Sequence, residues 1–178
     1  MQKLDINFFQ QDVLIVAPQL VGKFLVRQFA DGTIIRNRIT ETEAYRGEED
    51  LACHAKKGRT PRTEVLYMEG GTIYVYLIYG MYWLINFVTG PAEHPQAALI
   101  RGIEGMYGPG RLTRHLDIDK SFNKQNITTA ENIWVENDDL VIAYNSNPRI
   151  GVDYAGSWAK MPWRFTMIED KPIKKGGL

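Results

Sequence analysis

Hydrophobic and polar positions along this chain alternate far more often than they recur every third or fourth residue, so strands dominate the elements the pattern predicts. Lys23 to Phe29 alternates and predicts a strand. Asp31-Gly32 follows, a pair that tolerates the backbone of a tight hairpin, and leads into a second strand from Ile34 to Tyr45. Thr72 to Ile78 and Trp83 to Val88 predict an aromatic hairpin with its turn at Gly80. Ala97 to Arg101, Ile133 to Val135, Leu140 to Tyr144 and Trp163 to Ile168 predict four shorter strands, the last closing the sheet. Helical signals are few. Asp12 can cap a helix from Val13 to Leu20 that stops at Gly22 and carries Pro18 inside it. Arg62 to Met68 predicts a helical turn broken by Gly70-Gly71, and Gly108-Pro-Gly110 opens a short helix through His115. Arg46 to Arg62 has no period and reads as a basic surface loop around His54; Lys171 to Leu178 reads as a frayed tail. The fold class is therefore α+β, a curved, mostly antiparallel, open barrel-like sheet with a few short helices and a protruding aromatic hairpin.

Composition narrows this picture. With 178 residues and 44% hydrophobic content, the chain can bury one sizeable core and is short for two, so residues 1–178 are expected to form a single domain, its core about residues 8–168. Net charge is zero, which excludes a protein held on nucleic acid by bulk charge; any such contact must be local. Cys53 is the one cysteine, too few for an internal disulfide or a sulfur-ligated zinc, and this fits an intracellular, reducing setting. No export signal is evident at the N-terminus and no apolar run approaches twenty residues, so neither secretion nor a membrane span is expected.

Candidate chemistry gathers between Arg38 and Asn86. Strand alternation places Glu41, Glu43 and Tyr45 on one face and Thr40, Thr42 and Ala44 on the other. Four tyrosines fall within the nine residues Tyr74 to Tyr82, and the run ends on a lone amide, Asn86, among apolar residues. Together these suggest an aromatic slot with an acid at its edge. Plainer readings compete at each position. A glutamate on a strand face is more often solvated than catalytic, and Glu41 is read that way; His54 alone is a loop histidine. Tyr74, Tyr82 and Trp83 are read as sheet packing, and Arg111 and Arg114 serve equally well as surface charges or phosphate contacts. Two carboxylates two residues apart also suggest a sugar glycosidase, but that chemistry needs its acid and base on opposite sides of the bond.

Several motifs together resemble one family. Glu41-Thr-Glu-Ala-Tyr45, His54, Tyr74-Val-Tyr-Leu-Ile-Tyr-Gly-Met-Tyr82, Asn86, Ala98-Leu-Ile-Arg101, Gly108-Pro109, Lys120-Ser-Phe122, Arg149-Ile-Gly-Val152, Gly156-Ser-Trp158, Pro162 and Arg164-Phe165 are similar, in order and spacing, to the alkyladenine (3-methyladenine) DNA glycosylases. The likeness runs from about Phe8 to about Phe165. It implies a monomeric, monofunctional enzyme of base excision repair, without cofactor, metal or lyase step. Such an enzyme flips alkylated or deaminated purines out of double-stranded DNA and hydrolyses the N-glycosidic bond. It further implies Glu43 as general base, with Arg101 and the Ile150 carbonyl holding the attacking water. By the same resemblance Tyr45 and His54 lie on one side of the base and Tyr76 on the other, Asn86 disfavours guanine, and Tyr79 with Met81 enters the minor groove.

The chemistry of the reaction agrees with these assignments. Loss of a purine passes through a cationic, oxocarbenium-like sugar, so one carboxylate can stabilise charge and take a proton from water. A neighbouring Arg101 favours the ionised form of that carboxylate. Tyrosine faces attract cationic alkylated bases and stack on any base at roughly 1–3 kcal/mol each, which offsets the few kcal/mol of unstacking. One departure stands out: between Arg101 and Gly108 the chain has only Gly-Ile-Glu-Gly-Met-Tyr, where the family usually carries a longer, often basic excursion. A non-catalytic binder of flipped or unpaired bases, and a hydrolase of another N-glycosidic bond, remain as rival functions.

Overall fold

The computed structural model describes residues 1–137 and 139–168; the expected tail, 171–178, lies outside the described residues. Ten strands and three α-helices follow one another with four short 3-10 segments among the described residues. After β1 (Gln2–Lys3) and α1 (Ile6–Phe9), Asp12 caps α2 (Val13–Leu20) as the sequence predicts, its side chain accepting from Leu14 N at 2.9 Å. The hairpin β2 (Phe24–Gln28) and β3 (Ile34–Arg46) turns at Asp31-Gly32, where Gly32 has φ +86°. Strands β4 (Ile73–Ile78) and β5 (Tyr82–Val88) form the aromatic hairpin, followed by β6 (Gln96–Ile103), β7 (Met106–Tyr107) and α3 (Pro109–His115). Then come β8 (Ile133–Asn137), β9 (Tyr144–Asn147) and β10 (Arg164–Met167).

All ten belong to one antiparallel sheet in the order β1-β8-β2-β3-β6-β5-β4, with β10 pairing both β3 and β9. The sheet does not close on itself. Strand β3 is its spine: its first half pairs β2, its second half pairs β6 and β10, and bulges between Ile39 and Thr42 mark the change. Beyond the bulge, Thr42 and Ala44 point into the main core, Thr42 Oγ1 donating to Ala17 O at 2.7 Å. Helix α2 covers that face with Val13, Val16, Ala17 and Leu20, while Phe9 meets Phe87 edge-on at 5.9 Å between ring centres. Each of the larger of these fully buried side chains contributes about 1.5–3 kcal/mol, enough to fix which face of β3 looks inward. The opposite face of β3 is left for Glu41, Glu43 and Tyr45.

Two expectations need correction. The apolar run Leu140 to Tyr144 reads as a strand, but pairing with β10 begins only at Tyr144 and continues through polar Asn145 to Asn147. Ile142 instead packs against Gly22, whose missing side chain leaves the room: a Cβ there would sit 2.3 Å from Ile142 Cγ1. The loop 46–62 is basic at its surface yet anchored within, since Asp50, Ala52, Cys53 and Ala55 are buried. Among the described residues no helix is long and apolar enough to cross a membrane.

Candidate active site

A cavity of about 600 Å³ opens between the aromatic hairpin, the 46–62 loop and the segment 150–154. Tyr45, His54, Tyr74, Tyr76, Tyr79, Asn86, Arg101 and Ile150 all line it, so eight of its walls are tyrosine, histidine, amide, arginine and one aliphatic residue from five separate parts of the chain. Tyr74 and Tyr76 share a face of β4 because strand side chains repeat every second residue, and their rings lie 5.3 Å apart. Opposite Tyr74 on β5 sits Asn86, 4% exposed, donating Nδ2–H to the Tyr74 carbonyl at 3.1 Å. His54 comes from the other side of the slot. Its Nδ1 is 3.0 Å from the Tyr74 hydroxyl, and its ring stands edge-on to Tyr76 at 4.7 Å. It therefore closes the end of the slot rather than facing Tyr76 across a base-sized gap. Burial, with Arg62 and Lys56 nearby, pushes the His54 pKa down to about 4, so the ring is neutral at physiological pH.

Glu43 lies beneath this cavity and has no exposed surface of its own. Three lining residues hold it. Tyr45 donates its hydroxyl to Oε2 at 2.8 Å, the Ile150 N–H donates to Oε1 at 2.8 Å, and Arg101 Nε stands 3.6 Å from Oε1. Burial raises the Glu43 pKa above the ordinary carboxylate value, opposed by the Arg101 charge and the two hydrogen bonds. The structure thus brings Glu43, Tyr45, Arg101 and Ile150 together, and it is the Ile150 N–H that meets the carboxylate. Glu41 is not the solvated residue its position suggests: it is paired with Arg101 at 3.4 Å and hydrogen-bonded to Arg164 at 2.9 Å.

Tyr79 and Met81 sit at the tip of the hairpin, 82% and 63% exposed. Tyr79 and Gly80 both have positive φ, +52° and +69°, the pairing a type I′ turn needs. A left-handed backbone costs a non-glycine residue about 1–2 kcal/mol, so a tyrosine held there, in water, is an expensive choice for packing alone. Met81 faces a smaller groove of about 210 Å³ beside α3. In place of the longer excursion, β7 folds straight back on β6, pairing Gly102 with Tyr107 and Ile103 with Met106, which brings exposed Tyr107 to the cavity mouth.

Sequence reasoning missed several supports. Tyr74 lines the slot and holds His54; its position two residues before Tyr76 is the signal that could have found it. Arg149 and Asp50, both with no exposed side chain, form a two-pronged ion pair at 2.5 and 2.9 Å under the site. The Arg149 guanidinium also lies over the Tyr45 ring at 4.8 Å. Ninety-nine residues of separation gave no signal for that pair. Among the described residues there is no grouping of three or more His, Cys, Asp or Glu that could hold a metal ion.

An acid sealed under an aromatic slot, on an open antiparallel sheet with an exposed tyrosine at its rim, suits a flat aromatic ligand. Comparison with known proteins gives the family. The chain belongs to the methylpurine-DNA glycosylases, whose family model matches residues 7–107 and 104–171; the two matched parts meet at 104–107, inside the shortened segment. It is 40% identical to a protein of Psychrobacter cryohalolentis over 198 aligned residues, 95% of this chain and 93% of that one. A protein of Myxococcus xanthus is 40% identical, covering 96% and 92%, and one of Rickettsia felis is 43% identical, covering 92% of each. All three bear the name "Putative 3-methyladenine DNA glycosylase". The chain is accordingly a DNA glycosylase that hydrolyses N-glycosidic bonds, with DNA as its substrate.

Proposed function

We propose that the protein removes 3-methyladenine and related alkylated or deaminated purines, hypoxanthine and ethenoadenine among them, from double-stranded DNA in base excision repair. It acts as a monomer inside the cell, as one glycosylase domain with its core at about residues 8–168. The observation that carries the reading is the fully buried Glu43, wired to Tyr45, the Ile150 N–H and Arg101 directly beneath the aromatic cavity. In this reading the damaged nucleotide swings out of the duplex, Tyr79 fills the gap with Met81 beside it, and the base enters the slot between Tyr45 and Tyr76 with His54 at its end. Asn86 then stands where a guanine 2-amino group would have to fit.

Hydrolysis breaks the bond between C1′ and the purine nitrogen, whose electrons leave with the base, and forms a bond from C1′ to a water oxygen. Glu43 accepts the proton that this water releases. After its two hydrogen bonds the carboxylate still has free lone pairs, so it can do so without giving up either partner. A pKa raised by burial makes Glu43 a stronger base, and Arg101 keeps it ionised. No covalent attachment to a lysine enters this scheme, so no strand cleavage accompanies base release.

The test is a panel of duplexes containing 3-methyladenine, hypoxanthine or ethenoadenine, incubated with the protein and assayed for free base. Release supports the reading. Tight lesion binding without release of any of them would favour a non-catalytic binder of flipped bases.

A further inference from the structure

Arg101 stands between two acids. Its Nε lies 3.4 Å from Glu41 Oε1 and 3.6 Å from Glu43 Oε1, yet makes a hydrogen bond to neither, a buried N–H with no partner of its own among the described residues. An arginine beside a single buried carboxylate ordinarily closes on it with short, charge-assisted, often two-pronged bonds. The Arg149–Asp50 pair in this same protein does so, at 2.5 and 2.9 Å. Arg101 does not. Glu41 competes for it, and Glu41 is itself tied back to β10 by Arg164 at 2.9 Å, while Arg164 is fixed in turn by donating to Pro148 O at 2.9 Å. The register of β10 against β3 sets this chain in place, pairing Arg164 with Glu43 and Thr166 with Glu41.

We propose that Glu41 is a positioning residue of the glycosylase reaction: tied back by Arg164, it holds the Arg101 guanidinium midway between two carboxylates, so that Arg101 neither seals nor quenches Glu43. The inference rests on the assignment of Glu43 as the general base. Were Arg101 closed on Glu43, the carboxylate would be a weaker base and would stay covered when DNA arrives. Were Arg101 drawn wholly to Glu41, Glu43 would lose the charge that keeps it ionised in a buried site. Glu41 meets Arg101 and Arg164, so it acts on Glu43 by its charge and through Arg101.

The charged and titratable groups facing Glu43 are Glu41 and Tyr45 on β3, Arg101 on β6, Tyr76 on β4, Arg149 next to Ile150, and Arg164 beyond Glu41 on β10. Removing the Glu41 charge deletes a repulsion and frees Arg101 to close on Glu43, and both lower its pKa. Removing the Arg164 charge deletes a distant attraction and lets Glu41 take Arg101, and both raise it. Glu41→Gln and Arg164→Gln are therefore expected to move Glu43 in opposite directions, each by about one pH unit, the low end of what a neighbouring charge does.

Two readouts decide the matter. One is the acid limb of single-turnover base release; the other is the carboxyl carbon titration of Glu43 by NMR, identified by its loss in Glu43→Gln. The expected result is a midpoint moved down in Glu41→Gln, with a lower plateau rate at unchanged lesion-DNA affinity, and moved up in Arg164→Gln. A Glu43 titration that stays put in both variants, or shifts the same way in both, overturns the inference. A titration that moves as expected while the rate limb does not overturns instead the assignment of Glu43 as base. A merely structural role for Glu41 would scale the rate at every pH without moving either midpoint.

Discussion

Asp50→Asn tests the scaffolding of the site. Asp50 and Arg149 are both fully buried, and the carboxylate accepts four bonds: two from the guanidinium, at 2.5 and 2.9 Å, and one each from Arg46 N at 3.1 Å and Ala52 N at 3.0 Å. The amide has the same shape but carries no charge and only one acceptor oxygen, so Arg149 would keep its charge in a dry place without a counterion. Breaking a buried pair in this way costs about 3–5 kcal/mol, because the remaining charge is left uncompensated. Domains of this length lose about 2–4 °C of melting temperature per kcal/mol, which gives a fall of about 6–20 °C. That is a large share of the 5–15 kcal/mol that usually separates folded from unfolded chains. The damage reaches the site as well. Arg149 lies over the Tyr45 ring and also donates to Ala44 O, and the next residue supplies the N–H that holds Glu43. Base release should therefore drop even well below the new melting temperature. Calorimetry and single-turnover release at 15 °C would check both halves. A melting temperature within about 2 °C of the parent would refute the claim that this ion pair carries the loop.

Tyr76→Ala removes one stacking face, worth roughly 1–3 kcal/mol, and lesion-DNA affinity should fall about 5- to 150-fold by fluorescence anisotropy, whereas an unchanged affinity would take Tyr76 out of the slot. Tyr79→Ala removes the exposed ring at the hairpin tip but keeps its left-handed strain, which any side chain with a Cβ carries. Discrimination between lesion and normal duplex should weaken while the melting temperature holds, because the ring is exposed; equal discrimination would argue against a wedge. His54 titrates near 4 when folded and near 6.5 when unfolded, so the unfolded chain takes up the proton first. Its contribution to stability is therefore intact above pH 6.5 and lost as pH falls from 6.5 to 4, by up to about 3 kcal/mol. Urea midpoints of His54→Gln should decline less between pH 7 and 5 than those of the parent; parallel declines would show that His54 is not held neutral.

What could be read from the chain depended on the range of the interaction that decides each feature. Helix α2 with its Asp12 cap, the Asp31-Gly32 hairpin and the aromatic hairpin were legible because each is settled within a few residues by capping, turn chemistry and alternation. Leu140–Tyr144 misled because an apolar run says strand, while the actual strand edge is decided by which residues β10 can reach. At the site, the shared face of Glu43 and Tyr45 followed from period two, and the tyrosine cluster from its density. The sharing of Arg101 by two acids, the Asp50–Arg149 pair and the edge-on seat of His54 against Tyr76 depend on contacts across the fold, for which spacing carries no information. The resemblance named the residues but not what holds them. Nothing local in Glu41-Thr-Glu shows that the first acid is tied to Arg164, more than a hundred residues away.

In the proposed mechanism a carboxylate sealed below an aromatic slot takes the proton of the attacking water. Glu43→Gln keeps the shape and removes the base, and a well-placed general base accounts for about 10²- to 10⁴-fold in rate. Single-turnover release of base from a duplex carrying 3-methyladenine or hypoxanthine, measured beside binding to the same duplex, addresses the claim most directly. Release should slow by at least about 100-fold in Glu43→Gln with lesion binding preserved. Release within about tenfold of the parent, with the duplex bound as before, would contradict it.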